Sequence, residues 1–178
     1  MTTFKNQSSF ERANTILGLD TIKKEKIIFV YCPPRVGSTS LVSSLRLSGS
    51  HIYKVLHIHD EEMLRIVGKI KDVTVMDIIN YNESLGREIF VFDIYRDPIE
   101  RKMSEFFGKL ASFHFNAEIN EIENYCMERL SKRFNNIFPY IGKDDHFLEK
   151  YVPIFNDIPK RFDFSKKILH IKKNNINF

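Results

Sequence analysis

Lys26-Ile27-Ile28-Phe29-Val30-Tyr31-Cys32-Pro33-Pro34-Arg35-Val36-Gly37-Ser38-Thr39-Ser40-Leu41 is the stretch on which the fold turns. An apolar run of strand length gives way to proline and glycine turn chemistry, and then to hydroxyl residues that open a helix-like segment. Gly37 permits a sharp backbone turn, and Ser38, Thr39 and Ser40 set hydroxyls beside helix N-terminal N–H groups that have no intrahelical acceptor. Arg35 adds a fixed positive charge. The segment from Arg35 through Val36 and Gly37 to Ser40 is therefore an anion cradle for a phosphate or a sulfate. The plainer alternative is a turn whose serines and threonine only cap a helix.

A second apolar run, Ile89-Phe90-Val91-Phe92-Asp93-Ile94-Tyr95, is expected to be a buried strand ending at Arg96. Asp97 suits the N-cap of a following helix, Pro98 its first turn, and Arg101 stands one turn on. Ser104 then lies about two turns into that helix. Parallel α/β sheets bind ligands beyond the carboxyl ends of their strands, where both segments fall. Between them, Tyr53 to Asp60 alternates like a strand and puts His57 and His59 on one side. Either imidazole suits a general base near neutral pH. Core packing or half of a metal site are the alternatives for this pair, and no cysteine or third histidine accompanies it. Asp60, Glu61 and Glu62 offer carboxylates in the same place, although acidic residues there also suit a helix's first turn.

The first loop lacks the two glycines and the lysine of G-x-x-x-x-G-K-[ST]. It also lacks the arginine of the cysteine phosphatase loop, since five intervening residues after Cys32 lead to Ser38. It resembles the 5′-phosphosulfate loop of sulfotransferases, Pro-Lys-x-Gly-Thr-Thr-x-Leu, with Arg35 at the lysine position. Arg96 followed by Ser104 eight positions on resembles the 3′-phosphate motif of the same family. The stretches Asp145 to Tyr151, Arg161 to Ser165 and Ile168 to Ile171 look like the latter half of capsular polysaccharide synthesis proteins similar to carbohydrate sulfotransferases. The resemblance runs over most of the chain from Lys26 onward.

That resemblance implies an α/β three-layer sandwich with a mostly parallel central sheet, a P-loop NTPase-like sulfotransferase fold in a small or truncated form. It implies transfer of a sulfuryl group from 3′-phosphoadenosine 5′-phosphosulfate to a hydroxyl, with a glycan as acceptor and no metal. Arg35, Val36, Gly37, Ser38, Thr39, Ser40, Arg96 and Ser104 would hold the donor. Several carbohydrate sulfotransferases carry a similar His-x-His, which makes His59 the expected base with His57 as support or substitute. Arg35 keeps the charge of the usual lysine but cannot release a proton. Sulfotransferases usually continue past the last strand into a segment that closes over the adenine, whereas this sequence reads Asn174-Asn175-Ile176-Asn177-Phe178 there. A P-loop nucleotide-binding protein or kinase, and a non-catalytic protein of the same fold, are the competing classes. Against magnesium, Asp93 is expected to lie inside its strand, short of the end.

The 178 residues, 43% hydrophobic and 28% charged, suit one domain, with an N-terminal lead to about Asp20 and a core from Lys26. Sixteen phenylalanines without tryptophan point to a Phe- and Ile-rich interior. Net charge of +4 is spread among acidic residues, with no helix-turn-helix, zinc or RNA-binding signature, so no nucleic-acid partner is expected. No signal-like or membrane-spanning run is visible, and Cys32 and Cys126 stand far apart, which fits a reducing, cytoplasmic setting. Helices are expected after the loop to about Gly49, over Asp60 to Ile70, within Val73 to Leu85, from Pro98 to about Ser112, and over about Asn120 to Phe134 and Asp145 to Phe155. A last strand is expected at Lys167 to Lys172.

Overall fold

β1 (Lys26–Tyr31) is buried from Ile27 onward on both of its faces, which is why it reads as a continuous apolar run and not as an alternation. The computed structural model describes residues 7–20, 26–49, 52–108, 127–137, 148–152, 154–157, 163, 165–166 and 169–178. By contact, the chain divides into two compact units, Met1–Ile94 with Asp157–Phe178, and Tyr95–Asn156.

The first unit is α/β. Its elements are α1 (Gln7–Ile16), β1, α2 (Ser38–Gly49), β2 (Tyr53–Ile58), α3 (Glu61–Ile66), α4 (Val75–Ser84), β3 (Glu88–Phe92), β4 (Lys172–Lys173) and β5 (Ile176–Asn177). The five strands form one sheet in the order β2-β1-β3-β5-β4. β1 runs parallel to both neighbours, with Val30 opposite His57 on one side and Phe92 on the other. β5 joins β3 in parallel, and β4 is antiparallel to β5. Helices flank the sheet on both faces. Ile28, Val30 and Cys32 point toward α2 and pack with Val42, Leu41 and Leu45. By alternation Ile27, Phe29 and Tyr31 face the other side, where the Tyr31 hydroxyl meets Glu61 of α3. The connections of β1 and β3 leave in opposite directions, so their carboxyl ends flank the crevice in which open α/β sheets bind ligands.

The helix starts follow from local chemistry. The Asp60 carboxylate accepts from the Met63 N–H at 2.7 Å and starts α3. Thr74 and Asp77 exchange bonds as a capping box at the start of α4.

Several expectations are corrected. The N-terminal lead contains a helix, α1, whose Phe10 ring stacks on Tyr81 at 5.1 Å. Its Asn14 exchanges side-chain amide bonds with Asn82, both of them buried. The helix expected from Asp60 to Ile70 stops at Ile66. The strand expected from Ile89 to Tyr95 stops at Phe92, where its ladder with β1 ends at the Val30–Phe92 pair, and β5 runs beside only Ile89 and Phe90. The last strand is a short hairpin, with Asn174 in its turn at φ 52°. Residues 169–171 are not strand, and the remaining expected positions, 167 and 168, lie outside the described residues.

In the second unit, α5 (Pro98–Gly108) and α6 (Met127–Ile137) are helical. Phe106 is buried and packs edge-on against Phe107 and Phe134, each at 5.3 Å between ring centres. The expected helix from Asp145 to Phe155 is, in its described part, a single 3-10 turn at Glu149–Tyr151, consistent with a proline at position 153 of the sequence. Residues 109–112 and 120–126, expected to be helical, lie outside the described residues. No helix among the described residues is long and apolar enough to cross a membrane.

Candidate anion-binding site

The loop after β1 is held from beneath and strained on top. The Cys32 N–H still donates to the Ile58 carbonyl at 3.3 Å, and the Val36 side chain is buried in the core with Val42 and Val55. Val36 is thus an anchor, and only its backbone can face a ligand. Arg35 is exposed at φ 67°, a left-handed conformation that costs a side-chain-bearing residue about 1–2 kcal/mol. Strained backbone of this kind collects at ligand-binding loops. Gly37 follows at φ 88°, and its carbonyl accepts the Ser40 N–H at 3.2 Å and the Leu41 N–H at 3.5 Å, which sets the first turn of α2. Thr39 and Ser40 are exposed beside that turn, whereas Ser38 is only 3% exposed.

Ser38 is turned inward onto β2. Its Oγ lies 2.9 Å from Nε2 of His57. His59, the first residue beyond β2, places Nδ1 at 3.0 Å from the Cys32 carbonyl. A carbonyl only accepts, so Nδ1 of His59 carries a hydrogen, and in the neutral form of the ring the lone pair is on Nε2. The two imidazoles meet edge to face, 4.5 Å between centres, on the same side of the strand as the alternation predicts. Burial first, then His59, then the Arg46 guanidinium hold the His57 pKa below its usual value. His57 is therefore neutral near pH 7, with one hydrogen between it and Ser38.

The carboxylates next to the histidines are committed elsewhere. Asp60 caps α3. Glu61 accepts from the Tyr31 hydroxyl at 3.1 Å and, through both oxygens, from the Val75 N–H at 3.1 Å. Burial, and next the Glu61 carboxylate, push the Tyr31 phenol well above its usual pKa, so it stays protonated and donates. Asp60 and Glu61 thus hold α3 and α4 in place, while Glu62 is exposed.

Asp93 is a correction. It lies immediately past the end of β3, next to the end of β1, rather than inside a strand, and its Oδ1 accepts the Ile94 N–H at 2.9 Å.

Arg96 and Ser104 belong to the second unit. Arg96 follows the end of β3 by four residues instead of closing it. Its Nε pairs with Glu100 Oε2 at 3.5 Å, across two half-open side chains. Such a surface pair is worth about 0–1 kcal/mol, little enough for a phosphate to displace. Asp97 caps α5, accepting from the Ile99 and Glu100 N–H groups at 3.0 and 3.1 Å, and Ser104 lies within that helix as expected. Sequence reasoning missed the Ser38–His57 bond, the Cys32 carbonyl behind His59 and the position of Asp93. All three follow from the β1 register, through the opposed pairs Val30–His57, Tyr31–Ile58 and Val30–Phe92. No family model, curated protein or solved structure matches this chain.

Proposed function

We propose that the protein is a sulfotransferase of P-loop-like fold that moves a sulfuryl group from 3′-phosphoadenosine 5′-phosphosulfate to a carbohydrate hydroxyl. The observation that carries this is the coupling of a strained anion loop to an imidazole pair at the same end of the sheet, Ser38 to His57 and Cys32 to His59. The α2 N-terminus, Thr39, Ser40 and Arg35 receive the phosphosulfate. Arg96 and Ser104 are the proposed partners of the 3′-phosphate. His59 is the base: its Nε2 lone pair takes the acceptor's hydroxyl proton as the acceptor oxygen bonds to sulfur. The bond from sulfur to the bridging oxygen breaks as this happens, and 3′-phosphoadenosine 5′-phosphate leaves with the electron pair. His57 holds Ser38 in place at the loop. Rate enhancement then comes from positioning and from charge stabilisation on the loop, as in phosphoryl transfer.

Asp93 favours a second reading. A carboxylate just past the strand next to the loop strand is where a magnesium nucleotide would need one, since Mg²⁺ is held by one or two carboxylates plus phosphates. Calorimetric titration separates the two. Binding of 3′-phosphoadenosine 5′-phosphate that is lost with 5′-AMP supports the sulfotransferase. Tighter binding of Mg-ATP overturns it in favour of the nucleotide reading. Transfer that survives His59→Ala in full would remove His59 as the base.

A further inference from the structure

His57 turns Nε2 to the loop, and the same residue lines a cleft of about 380 Å³ along the outer strand β2, walled by Tyr53 to His57, by Arg46 of α2 and by Leu17. That volume is at the small end for ligand pockets, which run to about 300–1,000 Å³, and suits one ring-sized group. Its charge is one-sided: Arg46 and Lys54 line it, and no carboxylate does. Val55 packs toward α2, so by alternation Lys54 faces the other side of β2, with its Nζ beside Gly18; the guanidinium and the ammonium thus flank the edge strand from opposite faces, and a planar carboxylate at the edge can meet both. Tyr53, Val55 and Leu56 add an aromatic ring and apolar surface for the C–H face of a sugar.

The edge of β2 is poorly suited to an added peptide strand. Ile58 sends its carbonyl to β1, where it accepts from Cys32, so by alternation the backbone groups of Tyr53, Val55 and His57 point outward. The Val55 carbonyl, central in that outward row, already accepts from Arg46 Nη2 at 3.4 Å. A ladder through Val55 would have to displace the guanidinium, whereas a compact anion meets it in place.

We infer that this cleft binds the acidic sugar residue, a hexuronate, of the acceptor, with its carboxylate on Arg46 and Lys54 and its ring against Tyr53. The inference rests on the sulfotransferase reading, because it makes the cleft the acceptor's side of the imidazole pair. His57 lines the cleft, and the His59 ring centre lies 4.5 Å from that of His57.

The test is calorimetric titration of the full chain with a glucuronate-containing disaccharide, with the matched neutral disaccharide and inorganic sulfate as comparators. Arg46→Gln with Lys54→Gln is the variant, checked for folding by thermal melting. The acidic disaccharide is expected to bind at least about tenfold tighter than the neutral one, and the variant to lose about tenfold or more while keeping its affinity for 3′-phosphoadenosine 5′-phosphate. Equal affinity for neutral and acidic sugars, an unaffected variant, or sulfate binding as tightly as the disaccharide overturns the inference. Acidic disaccharide binding without 3′-phosphoadenosine 5′-phosphate binding removes the donor assignment and leaves the cleft standing. The reverse pattern removes the cleft alone.

Discussion

Gly37→Ala tests whether the loop is a cradle or only a turn. Gly37 sits at φ 88°, and a Cβ built there meets nothing within 4 Å. The whole cost is therefore in the backbone, about 1–2 kcal/mol for an L side chain in the left-handed region. Gly86 is a matched control: φ 81°, again nothing within 4 Å, but placed after α4 and away from the loop. Both alanine variants should lose about 1–2 kcal/mol, which for a chain of 178 residues lowers Tm by about 2–4 °C per kcal/mol. They should part company in binding. Gly37 presents the carbonyl that starts α2, so relaxing its φ turns the first-turn N–H groups away from a bound anion. A loss of about 1.4 kcal/mol there is a tenfold weaker Kd. Urea melts give the stabilities, and titration with 3′-phosphoadenosine 5′-phosphate gives the affinities. Equal affinities in Gly37→Ala, Gly86→Ala and the parent, with both variants destabilised, would refute the cradle; unchanged stability in both would refute the strain estimate itself.

Ser38→Ala should cost about 0.5–1.5 kcal/mol in urea unfolding through loss of the His57 bond, and a double-mutant cycle with His57→Ala should return a coupling in that range. His57 has a depressed folded pKa, so the unfolded chain binds more protons below about pH 6.5; stability should be unpenalised above that pH and fall as the pH drops through the folded pKa. Arg46→Gln removes one of the causes, so the His57 resonance in an NMR titration should move to a higher pKa, and an unchanged or lower value would contradict the assignment. His59→Ala should keep nucleotide affinity while cutting transfer by about 10²–10⁴-fold, as measured by donor turnover. Asn82→Ala should lower stability by about 1–3 kcal/mol, because it leaves the buried Asn14 amide without its partner; a neutral effect in chemical denaturation would show that α1 does not depend on that pair.

The central strands were legible because they are buried. Ile27 to Val30 cannot face water on either side, and such a run between turn residues has few other homes in a chain this size. α1 was not legible for the opposite reason. Its contact with α4 includes an aromatic pair and Asn14 against Asn82, and a polar residue that faces the interior looks, in sequence, like surface. The end of β3 failed for a third reason. Asp93, Ile94 and Tyr95 have strand-like neighbours, but a strand lasts only while a partner is bonded beside it, and the ladder between β1 and β3 ends at the Val30–Phe92 pair. That is a property of a neighbour some sixty positions earlier, and no local window contains it.

The same distinction separates the two histidines as candidate bases for the proposed reaction. Alternation placed both rings on one side of β2, and composition could not separate them. What separates them is a carbonyl on another strand: Cys32, one residue beyond β1, lies within 3.0 Å of His59 Nδ1 because Tyr31 pairs with Ile58. That contact fixes the tautomer and leaves Nε2 of His59 with its lone pair free of this bond, while Nε2 of His57 is taken up with Ser38. A register shifted by one residue would flip every side chain of β2 to the other face and break both contacts together. In the proposed reaction the choice of proton acceptor would thus be written into strand pairing, and the residue types specify only that an imidazole stands there to be chosen.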